Sequence, residues 1–179
     1  MTTEQHDVPA DLIAIEAALG RMVYRAGALE TVVRFTGESL AATTNERDEL
    51  AGTTAGTVLR LTKDIASRSP DVTAEDLAEL IVIFDEIRPT LDSRNVYIHG
   101  GWVRSKDQLI VMNKRKNVTA NEKKGVKAEK YLVQTRPVAV KELNELADAL
   151  LDLSNRVFDW TAQVLGRKHP ELYPSGGDE

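Results

Sequence analysis

The 179-residue chain has no cysteine, only three histidines and few aromatic residues: two tryptophans, four tyrosines and three phenylalanines. Without cysteine there can be no disulfide staple, no thiolate metal site and no thiol redox chemistry. The histidines are scattered, with His6 and His169 near the ends and His99 alone between them, so the paired spacing of a histidine metal site is missing. No apolar run approaches the roughly 20 residues that span a bilayer, and the opening "MTTEQHDVPADL" lacks the basic and apolar regions of a signal peptide. No glycine-rich loop is followed by the lysine–serine pair of a phosphate cradle. These absences lead us to expect a cytoplasmic protein with no membrane partner, no metal and no cofactor. The length suffices for one hydrophobic core without staples.

Two heptad ladders dominate what is present. Leu12, Ile15, Leu19, Met22, Ala26, Leu29, Val33, Thr36 and Leu40 follow alternating steps of three and four, which predicts one long helix with a narrow seam and Asp11 as its N-cap. Ala139, Leu143, Leu146, Leu150, Leu153, Val157, Trp160 and Val164 repeat the pattern near the other end, with Pro137 in the first turn and Gly166 as a stop. Between them, Leu50, Thr54, Val58, Leu61 and Ile65 predict a helix whose small-residue half "AGTTAGT" packs closely on a neighbour. Leu77, Leu80, Ile81, Phe84 and Ile87 predict another, opened by Thr73 and stopped or kinked at Pro89.

After Trp102 the pattern changes. "QLIVMN" and "KYLVQT" read as two antiparallel strands around a basic island, Asn113 to Lys130, which holds seven cations against two anions. The chain as a whole carries a formal charge of −5, so the remainder is strongly acidic and only the island would draw a polyanion. The expected fold class is all-α: an antiparallel helical bundle of about four to five helices with a small β-hairpin-like insertion before the last helix. It would occupy 11–168, with the insertion at 103–136, a flexible stretch at 1–10 and a disordered tail at 169–179.

The only internal histidine lies in "DSRNVYIHGGW", Asp92 to Trp102. Asn95 and His99 are four apart and share a helix face, whereas Arg94 and His99, five apart, meet only if Gly100 and Gly101 end the helix and free His99. The residues alone also fit a histidine favoured by the dipole at a helix C-terminus, with Asn95 a polar core residue and Tyr97 and Trp102 packed in the core.

The order Arg94, Asn95, three further residues, His99 and then Gly100, late in an internal helix with a long helix on either side, resembles the motif of the HEPN superfamily (higher eukaryotes and prokaryotes nucleotide-binding domains). The resemblance covers most of the chain in architecture and about eight residues in motif. The strand-like insertion departs from the usual pattern.

The resemblance implies a small helical domain and, for many members, a metal-independent endoribonuclease in toxin–antitoxin, abortive-infection or phage-defence systems. It implies a homodimer in which two motifs build one composite cleft, and an antitoxin or regulatory protein as a further partner. Carried over, His99 would exchange the proton of a ribose 2′-hydroxyl, Arg94 would hold the scissile phosphate, and Asn95 would orient either. Lys114, Arg115, Lys116, Lys123 and Lys124, with Arg104, would follow the RNA backbone, and Tyr97 or Trp102 would stack a base. Two other functions fit the sequence: a non-catalytic dimer of the same type that binds RNA, nucleotide or protein, and a coiled-coil-like assembly protein.

Overall fold

A computed structural model describes residues 10–105, 108–117 and 130–169. Five helices and three strands follow one another: α1 Ala10–Leu40, α2 Thr44–Leu50, α3 Ala55–Arg68, α4 Ala74–His99, β1 Gly101–Ser105, β2 Gln108–Asn117, β3 Lys130–Pro137 and α5 Val140–Lys168. The fold is mostly helical, with a small antiparallel sheet in the order β1-β2-β3 before the last helix.

The heptad ladders are the core. Ile15, Met22, Ala26, Leu29, Val33, Thr36 and Leu40 of α1 are buried, as are Leu143, Leu150, Leu153, Val157, Trp160 and Val164 of α5. The two helices pack along their length but run parallel, against the expected antiparallel arrangement. Arg21 donates to Asn144, Arg25 pairs with Asp148 and Thr36 bonds Thr161, at the near-constant sequence offsets of 123, 123 and 125. Helix α4 supplies the antiparallel partner: Tyr97 meets Glu142 near the start of α5, Glu86 meets Arg156 midway, and Asp76 meets Arg167 near its end. Because α4 carries the chain back and the sheet turns it round at the same end, α5 must start out alongside α1.

Five local expectations change. The single stripe from Leu50 to Ile65 is two helices, broken where Gly52 takes φ +69, a left-handed value that favours glycine. The close helix approach falls at Gly37 instead, where a Cβ would lie 2.6 Å from Thr62 Oγ1 and 2.9 Å from Leu50 Cδ1. Helix α4 runs on through Pro89, because the carbonyl that loses its donor belongs to exposed Asp85, within reach of water. Pro137 closes β3, opposite Ile110, and Gly166 lies inside α5. The predicted hairpin is a three-stranded meander, since "GWVRS" also pairs with β2.

Helix entry follows expectation at Thr73. Its hydroxyl oxygen accepts from the Asp76 amide at 3.2 Å, and the Asp76 carboxylate accepts from the Thr73 amide at 2.9 Å, a reciprocal capping box. In the core, the hydroxyls of Thr36 and Thr161 lie 2.6 Å apart between α1 and α5; one donates across to the other, and the accepting hydroxyl gives its own proton to a carbonyl of its helix, Val32 or Val157. Thr36→Val is expected to cost about 1 kcal/mol in urea unfolding, because one hydroxyl loses its cross-helix partner. Adding Thr161→Val should then cost less than it does alone, since that partner is already lost.

Candidate functional site

The motif occupies the last two turns of α4. Arg94 points towards α1, where its Nη2 donates to Glu30 at 3.1 Å, while its Nη1 donates to Asn95 Oδ1 at 2.9 Å. The pair is half-buried, and the Arg94 Nε is buried with no partner among the described residues. Asn95 therefore fixes the arginine rather than the imidazole. His99 ends the helix with its side chain exposed, and no described residue hydrogen-bonds to it. An exposed imidazole is open to a substrate and can take up or give a proton there.

The glycines do not free His99 from helical geometry, as the sequence suggested. His99 still belongs to α4, and Gly100 leaves it with an extended φ of −74 and ψ of 149. Arg94 and His99 thus project about 140° apart around the helix. Gly100 is needed for a different reason. A Cβ there would lie 2.3 Å from Val111 Cγ2 and 2.5 Å from the Val96 carbonyl oxygen. Buried Val111 packs directly onto this bare backbone, which seats β2 on the end of α4. Gly100→Ala is accordingly expected to destabilise the fold by about 1–3 kcal/mol in thermal unfolding.

Tyr97 is 2 % exposed, and its ring is closed off from a base. Its hydroxyl donates to Glu142 at 3.1 Å, the Arg136 guanidinium lies 5.8 Å from its ring centroid, and Arg136 also donates to Glu142 at 3.0 Å. Burial pushes the phenol above its ordinary value; Arg136 offsets part of this, and the Glu142 carboxylate adds to it. Half-buried Trp102 sits 6.5 Å from the Tyr97 ring and donates Nε1 to the Tyr97 carbonyl at 3.0 Å. Both aromatics lock the sheet to the helix, so the expected base-stacking role is corrected to a structural one for Tyr97, and Trp102 is held by the same packing.

Arg104 is exposed on β1, 3.9 Å from Asp11. Lys114, Arg115 and Lys116 lie on β2, opposite Val133, Leu132 and Tyr131 of β3. Lys123 and Lys124, like most of the basic island between the strands, lie outside the described residues.

Sequence reasoning missed two features. Glu30 is 64 residues from the arginine it holds, so no local spacing could announce it. A cleft of about 260 Å³ between α4 and the sheet was also missed; it is lined by Asp92, Ser93, Val96, Val111, Asn113, Gln134 and Arg136. Asp92 and His99 are seven apart, two helical turns, so the imidazole continues the stripe that forms one wall of this cleft. Among the described residues there is no group of three or more side chains suited to a metal, and no helix long and apolar enough to cross a membrane. No family model, curated protein or solved structure matches the chain.

Proposed function

We propose that this protein is a HEPN-type endoribonuclease that works without a metal ion, acting as a homodimer with a composite site, in a toxin or antiphage role. The observation that carries the reading is the placement of His99. It is the one internal histidine, exposed at the C-terminus of a long helix, free of hydrogen bonds to described residues, five residues past an arginine held by Glu30 and Asn95. RNA supplies its own nucleophile, the 2′-hydroxyl, so an imidazole that moves protons and a guanidinium that takes up phosphate charge are a sufficient pair. The roughly 140° between them on one helix favours a cleft in which Arg94 of one protomer serves a phosphate beside His99 of the other.

In this reading Asn113, Gln134 and Arg136 of the cleft between α4 and the sheet guide the strand, and the basic island of the insertion offers counter-charge. The protein works in the cytoplasm, and a regulator covers the motif. The test is incubation of purified protein with RNA and with single-stranded DNA of the same sequence, both in EDTA. Scission of RNA alone supports the ribonuclease. RNA bound and left intact points instead to a binding module of the same fold.

A further inference from the structure

Helix α1 has a second seam, on the side away from the core. Ile13, Tyr24 and Phe35 stand 55, 78 and 46 % exposed, and the exposed residues Ala17, Gly20, Gly27 and Thr31 lie between them at steps of three and four. The seven positions carry no charge. At Gly20 and Gly27 an added Cβ would meet nothing within 4 Å, so the helix backbone is bare there. Thr31 satisfies its hydroxyl on its own helix, donating to the Gly27 carbonyl at 2.9 Å. Three large apolar side chains on one uncharged, solvent-facing line leave this face of α1 open to a contact.

The order of sizes says what the contact is with. Large, small, small, large, small, small, large reads the same from either end. Ile13 and Phe35 are equidistant from Tyr24, as are Ala17 and Thr31, and Gly20 and Gly27 flank it one turn away on each side. A two-fold contact requires one surface to complement itself in the reverse direction, whereas an unrelated partner would impose no such symmetry. We propose that two copies of this chain meet along the outer face of α1, antiparallel, about a two-fold axis at Tyr24. Each Tyr24 ring then lies over the partner's bare glycine backbone, a knob in a hole, and Ile13 of each copy faces Phe35 of the other. The strip is ~33 Å long, enough for the several hundred Å² per partner that a small specific interface buries.

The surface rests on α1 alone and stands apart from the ribonuclease reading: Glu30, which Arg94 meets, lies about 120° round α1 from Tyr24, so the seam does not by itself bring the two motifs together. Arg94 of α4 pairs with Glu30, and Tyr97 pairs with Glu142, beside Asn144 and its partner Arg21. Since α4 runs against α1, His99 comes level with the stretch from Ala17 to Arg25. A two-fold axis at Tyr24 therefore sets both copies of the motif at the same height.

The absence of cysteine makes the test clean. With single cysteines on the full chain, Tyr24→Cys should crosslink to itself under mild oxidation, while Ile13→Cys and Phe35→Cys should crosslink only when mixed with each other. Self-crosslinking at positions 13 and 35, or none at position 24, overturns the antiparallel contact. Tyr24→Glu, at a site too exposed to disturb the fold, should weaken the dimer at least about 30-fold in sedimentation equilibrium, with an unchanged circular dichroism melt. A wild type that stays monomeric at all concentrations, or a Tyr24→Glu variant that stays dimeric, overturns the proposal. A wild-type dimer that cuts no RNA supports this seam while removing the ribonuclease. A monomeric Tyr24→Glu variant that still cuts also supports the seam but removes the composite cleft.

Discussion

His99→Ala is expected to slow RNA cleavage by about two to four orders of magnitude, the usual contribution of a positioned acid or base, and to leave the fold intact. The second half of this expectation follows from exposure. The imidazole touches no hydrogen-bonding partner among the described residues, so its removal should change stability by no more than about 0.5 kcal/mol. That separation makes His99 a better probe than Arg94. Removing the arginine also strips Glu30 of its partner at a half-buried position between α1 and α4, so lost activity could follow from a disturbed helix contact. Cleavage rates of the variant, read beside its thermal melt, check both halves. Undiminished cleavage by a folded His99→Ala variant would reduce the residue to a helix-end histidine.

Asp76→Ala is expected to lower stability by about 2–3 kcal/mol at neutral pH in urea unfolding. Asp76 is buried at the entry to α4 and serves three purposes. Its carboxylate takes the Thr73 amide and hydroxyl at 2.9 and 2.6 Å and the Arg167 guanidinium at 2.5 Å, and its carbonyl accepts from Trp160 Nε1 at 2.9 Å. The one carboxylate thus caps α4 and ties it to the last turns of α5.

Burial alone would raise its pKa, but the hydrogen bonds from Thr73 and the charge of Arg167 outweigh this and hold it below the ordinary aspartate value. A depressed carboxylate stabilises the fold fully above its unfolded pKa, about 3.9, and that stabilisation is lost as pH falls from there through the folded value. The stability gap between wild type and Asp76→Asn should therefore be largest near neutrality and shrink below about pH 4. A gap that stays constant down to pH 3 would mean that the charge of Asp76 contributes nothing.

Much of this architecture was legible because it follows from periodicity. The seams of α1 and α5 could be read residue by residue, as could the capped start of α4 at Thr73, since burial at steps of three and four leaves a direct trace. Direction could not be read. Nothing within Leu12–Leu40 or Leu143–Val164 says whether the helices run parallel; that is set by where α4 and the sheet return the chain. Proline was over-read at Pro89, because tolerance depends on whether the orphaned carbonyl reaches water.

In the site, the Arg94 to His99 spacing was visible, but the roles of the aromatics and of Glu30 depend on contacts with distant segments. Tyr97 and Trp102 look alike to any local rule whether they stack a base or wedge a sheet against a helix. Gly100 was read as a helix stop, whereas its lack of a side chain serves Val111, eleven residues on in the next strand but one.

The central claim is that the motif cuts RNA through the substrate's own 2′-hydroxyl. Its most direct test is mass spectrometry of a short RNA oligonucleotide after incubation with the wild-type protein in EDTA, beside a copy methylated at every 2′-oxygen. A fragment ending in a 2′,3′-cyclic phosphate, its partner beginning with a 5′-hydroxyl, and an untouched methylated copy are the predicted result. An intact oligonucleotide, or scission of the methylated copy, would contradict it.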